Sequence, residues 1–384
     1  MNPLFSLTPT ERGPIVNVRE QESNIPLTIS IETTGLSSLV EIGQQVARGQ
    51  RIAADNYGTQ AALHSSVSGT VLDVKTNFIL IKTEGDRIAD LLEFSTADSR
   101  TMLDNLRNAG INVQHLKQGC TLIINAVPPE SGIDGHRFLI EEFNSIMIEG
   151  LTYLKDALTP IACTIAIPKG MNWTLAGCTV HEINPVYPEG LNAMVVKAVT
   201  GKEMPPEVSV IDAATLYRIG RTIHGKQPVS DIMVKVGATL FQAPVGTQVG
   251  LLARLAGFTV SQHDRVILGG PLSGEAVYTL RHGISPSTQA ITVLSSGSEP
   301  TIKDSPCVGC GECVIKCPAR IMPNMISRHS EFGLFENTLA YNIASCFECG
   351  LCTYWCPAQR PVLQYIRLAK KELSKQPILE DLRK

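Results

Sequence analysis

The sequence predicts a multidomain α+β protein made of small β units, one α/β domain and a helical C-terminal module. Three observations carry this. Residues 31–86 hold short β-branched runs broken by glycines, and residues 87–228 alternate strand-like with helix-like stretches. Eight of the eleven cysteines fall into two short runs after residue 300. At 384 residues the chain has room for two or three domains, each burying its own core.

The elements follow in order. Residues 1–30 read as irregular, with Pro14 and Pro26 in them. In 31–86, Val40, Val46, Ile52, Val67, Val71, Val74, Ile79 and Ile81 stand between Gly43, Gly49 and Gly69, the signature of a small all-β unit with tight turns. The glycine spacing and the Ser68-Gly69-Thr70-Val71 turn resemble the barrel-sandwich hybrid of lipoyl and biotinyl domains. A carrier domain needs a lysine at its hairpin tip. Lys75 is the only one nearby and no Met flanks it, so a structural barrel is expected.

Further on, Leu91–Asn108 has helix-like apolar spacing ending at Ala109-Gly110, and Thr121–Asn125 reads as a buried strand. Phe138–Leu158 repeats apolar residues at three- and four-residue intervals, which predicts one amphipathic helix. Strands at Thr164–Pro168 and Val208–Ile211 and helices at Ala193–Val199 and Ala213–His224 continue the alternation, so a parallel sheet is expected. A second β unit begins at Asp231–Val236, passes through a turn and helix within Phe241–Gly257, and reaches the strand Arg265–Leu268. The following Gly269-Gly270-Pro271 fits neither a phosphate loop nor a dinucleotide fingerprint and reads as a tight turn. The expected division is 1–86, 87–228, 229–300 and 301–384.

The cysteine runs carry the chemistry. Cys307, Cys310, Cys313 and Cys317 precede Pro318; Cys346, Cys349, Cys352 and Cys356 precede Pro357. This is the ligand spacing of the bacterial two-cluster ferredoxin, where the fourth cysteine of each run serves the other cluster. The expected ligands are therefore Cys307, Cys310, Cys313 and Cys356 for one [4Fe–4S] cluster and Cys346, Cys349, Cys352 and Cys317 for a second. Zinc also takes four thiolates and is the alternative, but structural zinc uses paired knuckles and has no use for a third cysteine three residues on. Gly309, Gly311 and Gly350 would let backbone N–H groups approach cluster sulfurs. Between the runs lie 28 residues without strand-like alternation, so an all-helical ferredoxin module is expected. Its last helix, Pro361–Leu373, is expected to be solvated on its Arg367, Lys370 and Lys371 side. Cys120, Cys163 and Cys178 read as buried structural thiols.

Composition excludes several classes. Net charge of −3 and aromatic content of 5 % argue against nucleic acid as a partner. Met1–Thr10 lacks the pattern of a signal peptide, and no apolar window would span a membrane. No constellation suggests hydrolysis or general acid–base catalysis. His64, His136, His181, His263 and His282 are expected in surface or turn roles, and Asp134 and Asp264 in ordinary turns.

Taken as an order of parts, the chain resembles the RnfC family, the peripheral component of the ion-translocating Rnf complex. Matching strings include Tyr187-Pro188-Glu189-Gly190, Lys197 to Pro205, Gly269 to Gly274, Pro306 to Cys313, Cys346 to Pro357 and Gln364 to Lys370. The cobalamin reductase and the homologous chain of the Na⁺-translocating quinone reductase are related. The latter lacks the cysteine motifs. The resemblance implies a barrel-sandwich hybrid, an α/β domain like the complex I flavoprotein, a soluble-ligand-binding β-grasp (SLBB) unit and an all-helical two-cluster ferredoxin domain. It also implies FMN and NADH bound by a Gly-rich loop after an Ala-Gly-Ile step. Here Ala109-Gly110-Ile111 runs straight into Asn112 to Lys117, and Asn125 to Glu130 lacks the family's acidic pattern. No FMN or NADH site of its own is therefore expected, and no flavin residue is carried over.

The function so implied is electron transfer through two [4Fe–4S] clusters, at the cytoplasmic side of the inner membrane. Its partners would be other subunits of a membrane redox complex and a soluble electron-carrier protein. Independent NADH dehydrogenase activity is not expected. A soluble iron–sulfur oxidoreductase like the cobalamin reductase is the alternative, and a scaffold holding clusters only structurally is a third.

Overall fold

A computed structural model describes residues 5–8, 13–20, 25–55, 57, 59–203, 205–297 and 302–375. The opening stretch read for a signal peptide thus lies largely outside the described residues. The chain forms two compact units, one of Met1–Gly270 with Glu275–Val293, the other of Pro271–Gly274 with Leu294–Lys384.

Within the first unit the N-terminal part is a barrel-sandwich hybrid. One sheet runs in the order Thr28–Glu32, Phe78–Thr83, Gly69–Val74, Gln45–Val46; a second has Arg51–Ala54 between Ser37–Ser38 and Leu63–His64. Alternation decides which face is buried: Ile29 pairs with Ile81 and Ile31 with Ile79, and all four are inside with Val46, Ile52, Val67 and Val71. Lys75 stands at the hairpin tip beside Asp73, at 3.3 Å. His64 is buried, against the surface role expected of it; burial, then the Arg51 charge, push its pKa down to about 4.

A four-stranded parallel sheet follows, in the order Thr179–Ile183, Ala162–Pro168, Thr121–Asn125, Val208–Asp212. Leu122, Ile123 and Ile124 are fully buried, as a central parallel strand covered on both faces requires. Two helices differ from expectation. Leu91–Asn108 is helical only over Ser99–Asn108, where Asp98 caps the start by accepting from the Thr101 N–H at 2.9 Å. The stretch 138–158 is two helices, Gly135–Glu142 and Asn144–Leu158, because Phe143 leaves helical geometry (φ −120°). Its ring packs against Tyr217, centroids 5.0 Å apart.

Asn144–Leu158 and Ala213–Gly225 cross at two glycines. A Cβ on Gly220 would lie 2.0 Å from the Ile146 carbonyl oxygen, and one on Gly150 would lie 2.7 Å from the Gly220 nitrogen. Backbone cannot yield as a side chain does. Gly220→Ala is therefore expected to destabilise this unit by about 3 kcal/mol, read as a lowered denaturant midpoint.

The third sheet has six strands, ordered Ile15–Asn17, Thr239–Pro244, Asp231–Val236, Ala290–Leu294, Arg265–Leu268, Glu275–Ala276. A hairpin, the helix Val249–Leu255 and a strand parallel to the first hairpin strand give a β-grasp pattern. Thr239–Pro244 is strand where a turn was expected. Ile15–Asn17, expected to be irregular, pairs parallel with it.

Asp134 is no ordinary turn residue. It is buried at 1 % exposure and meets Lys235, equally buried, at 2.6 Å, while the Lys235 ammonium also lies over the Phe138 ring. His136 beside it is buried too, and burial lowers its pKa. Cys120 is buried as expected. Cys163 and Cys178 are half-buried neighbours, each one residue before the paired Thr164 and Thr179, and a hydrogen bond between the thiols holds Cys163 below and Cys178 above the ordinary thiol range.

Candidate metal centre

The two cysteine runs fold as two copies of one backbone motif. In the first, Gly311 (φ 81°, ψ −6°) starts the short helix Glu312–Ile315; in the second, Gly350 (φ 77°, ψ −7°) starts Leu351–Tyr354. Both positions demand left-handed geometry, which glycine adopts without steric cost. The hydrogen bonds repeat as well. Val314 and Ile315 donate to the Gly311 carbonyl as Thr353 and Tyr354 donate to that of Gly350. Arg320 (φ 54°) and Gln359 (φ 53°) then close matching turns onto the carbonyls of Cys317 and Cys356.

One core holds both copies. Cys313 and Cys352 are buried with Ile321, Ile326, Ile343, Val362, Leu363 and Ile366. No strand occurs among the described residues from 302 to 375: Pro323–Glu331 and Val362–Ser374 are helices, and the 3₁₀ turns Glu336–Tyr341 and Ile343–Ser345 lie between them.

The thiols form two groups that cross between the runs. Burial pushes Cys313 up to about 11, helped by the neighbouring charges of Cys307, Cys310 and Cys356. Cys349 is pushed up to about 12 by burial, then by Cys346 and Cys317. Cys317, Cys346, Cys349 and Cys352 line one small apolar hollow with Ile321 and Ile366. Thiols so raised bind protons until a metal displaces them, which is the donor chemistry an iron–sulfur cluster uses. Among the described residues no three Cys, His, Asp or Glu side chains converge on the position of one metal ion. A cubane takes each thiolate on a different iron, so a spread set suits it, whereas zinc draws its sulfurs to about 2.3 Å from a single point.

The copies differ in one respect that the sequence reading missed. Where the first run has Gly309 (φ 73°), the second has Glu348 at φ 60°, a strained position for a residue with a Cβ, costing about 1–2 kcal/mol. Its carboxylate is held by Arg367 Nε at 2.8 Å and Lys370 Nζ at 2.9 Å, and Lys370 also donates to the Cys346 carbonyl at 2.5 Å. Burial raises the Glu348 pKa, but the two cations outweigh it and hold the carboxyl below the usual range. Arg367 and Lys370 are therefore not solvated, as helical spacing alone implied; they fasten the second cysteine loop. Arg367 also donates to the carbonyls of Ser273 and Gly274. Arg360, just past Cys356, is buried against Glu331 at 2.6 Å, with its guanidinium over the Tyr365 ring.

Residues 8–89 match the family described as the RnfC barrel sandwich hybrid domain, and residues 299–357, which contain all eight cysteines, match the 4Fe-4S dicluster domain. The RnfC-type component of the ion-translocating oxidoreductase complex of Pseudomonas aeruginosa is 26 % identical over 88 % of this chain and 50 % of its own length. That of Edwardsiella ictaluri is 27 % identical over 97 % of this chain and 52 % of its own. The chain thus spans about half the length of these curated relatives. Among solved structures, an NAD⁺-reducing [NiFe]-hydrogenase in the H2-reduced state aligns over 73 % of this chain and 64 % of its own, at 13 % identity and a TM-score of 0.46, too slight a likeness to bear on function. By its N-terminal barrel, its dicluster domain and its similarity to these oxidoreductase components over most of its length, the chain is a divergent relative of the RnfC family.

Proposed function

We propose that this protein is the electron-transfer component of an Rnf-type redox complex, relaying electrons through two [4Fe–4S] clusters between a soluble carrier protein and flavin subunits in the membrane. The observation that carries this is the pair of matched cysteine cradles built into one core. Cys307, Cys310, Cys313 and Cys356 would hold one cluster and Cys346, Cys349, Cys352 and Cys317 the other. The clusters supply one-electron transfer; the chain's own residues fix their positions and shield them from water.

A nicotinamide or flavin site of its own is not part of this reading. Where the strands of the parallel sheet end, the chain has packed the space with itself. Asn125 donates to the Gly190 carbonyl at 2.9 Å and to Asn192 at 2.8 Å, and a Cβ on Gly190 would stand 2.0 Å from the Pro128 oxygen. No helix among the described residues is long and apolar enough to cross a membrane, so a place at the cytoplasmic face would rest on protein partners.

The test is affinity purification of the tagged chain from native membranes. Integral-membrane redox subunits are expected to copurify, with iron and sulfide for two clusters per chain. The purified chain is expected to be reduced by dithionite and not by NADH. Stoichiometric FMN together with NADH oxidation would refute the lost-site half of the proposal. Recovery only from the soluble fraction with corrinoid reductase activity would favour the cobalamin-reductase-like alternative.

A further inference from the structure

A cavity of about 340 Å³ lies in the first unit, where the helix Ala213–Gly225 meets the barrel and the six-stranded sheet. Four guanidinium groups line it, from Arg19, Arg48, Arg218 and Arg221, against a single carboxylate, Asp231. That carboxylate is already engaged: Arg19 grips it through Nε and Nη2, the latter at 2.6 Å, and also donates to the Ser66 carbonyl. Arg48 and Arg221 have no ion-pair partner among the described residues.

Two further donors face the same shortage of acceptors. Arg218 is tied by its terminal nitrogens to the Pro286 carbonyl and to Thr215 Oγ1, but its Nε is buried without a partner. Tyr217, on the cavity wall, is 4 % exposed, and its hydroxyl is likewise buried and unpartnered. Native interiors seldom leave such donors empty, because a buried unmade hydrogen bond is destabilising. Clustered guanidinium groups also repel one another where water is scarce. One class of ligand relieves both conditions, an oxyanion with several acceptor oxygens.

We propose that this cavity binds a small phosphate-bearing anion, with Arg48 and Arg221 as its main charge partners and the Tyr217 hydroxyl and Arg218 Nε as hydrogen-bond donors. Guanidinium groups match the paired oxygens of phosphate in a fixed fork. The volume falls at the lower end of small-molecule sites, so it admits a pyrophosphate or a compact phosphate ester. Pro228, Val229 and Met233 give an apolar wall for the body of such an ester. The site lies at the C-terminal end of Ala213–Gly225, away from the strand ends at Asn125 and Asp212 where the family's nucleotide loop would fall.

The test is calorimetric titration of the full, cluster-loaded chain with pyrophosphate at about 0.15 M salt. One saturable site is expected. Arg48→Gln and Arg221→Gln are each expected to weaken binding about tenfold, since each removes a charge-assisted contact. Tyr217→Phe is expected to weaken binding without lowering the thermal midpoint of the ligand-free chain, which checks that the variant folds. Absence of saturable binding up to millimolar pyrophosphate would overturn the proposal, as would unchanged affinity in both arginine variants. Citrate binding tighter than pyrophosphate would overturn the assignment to phosphate.

Discussion

A chain carrying Cys346→Ala, Cys349→Ala and Cys352→Ala is expected to keep one cluster. Adding Cys356→Ala should then remove it, whereas adding Cys317→Ala instead should leave it in place. The reason is the crossing of the two runs. Cys313 feels the charges of Cys307, Cys310 and Cys356, while Cys317 lies in the hollow with Cys346, Cys349 and Cys352. Ligation run by run would give the opposite pattern, with Cys317 indispensable and Cys356 spare. Iron and sulfide content and the EPR signal of the reduced protein distinguish the two. The effect is close to all or none, because a cubane corner left without its thiolate opens to solvent. It reaches beyond the clusters, since Cys313 and Cys352 sit in the same core as Ile326 and Ile366, and metal binding here is coupled to folding.

Lys235→Met is expected to cost about 3–5 kcal/mol of stability in the first unit, because it leaves the buried Asp134 carboxylate without its cation. Few single substitutions away from the cysteines should do as much. An ion pair of this kind adds little net stability as a pair, since desolvating both charges offsets their attraction. Breaking it is what destabilises. The double variant Asp134→Asn with Lys235→Met should accordingly recover at least half of the loss. Urea denaturation of the single and double variants checks both statements, and equal losses in both would refute the argument.

Much of the fold was legible because its strands obey simple patterns. Thr121–Asn125 and Asp231–Val236 are short apolar runs bounded by turn residues, and they are strands. Apolar spacing fails where it continues through a break. Leu139, Phe143 and Met147 keep the four-residue interval, yet the chain leaves the helix at Phe143 to pack that ring on Tyr217. Thr179–Ile183 was not legible, because an edge strand with mostly exposed side chains lacks the apolar alternation that marks one. The helix start at Ser99 did have its signal, the capping Asp98, but the apolar residues upstream obscured it.

The cysteine spacing carried the metal centre, and it carried the crossing as an expectation. What surrounds the thiols was far less readable. Arg367 and Lys370 lie at spacings that suit a solvated face, and only the folded loop brings Glu348 to them. Asp134 looked like a turn residue because its partner stands a hundred positions away. Interactions between distant segments leave no local mark, and these polar contacts are of that kind.

The pairing of Ile15–Asn17 with Thr239–Pro244 bears on how the chain is made. Ile15 lies opposite Leu240, so the earliest strand to leave the ribosome waits for a partner some 225 positions later. At ordinary synthesis rates that interval is roughly 10–45 s, far longer than a hairpin needs to form. The barrel and the parallel sheet can assemble in the meantime from segments already at hand. The six-stranded sheet closes only when the nascent chain is well past its middle, and until then its first strand is an open edge, the form of backbone most prone to mispair with a neighbour.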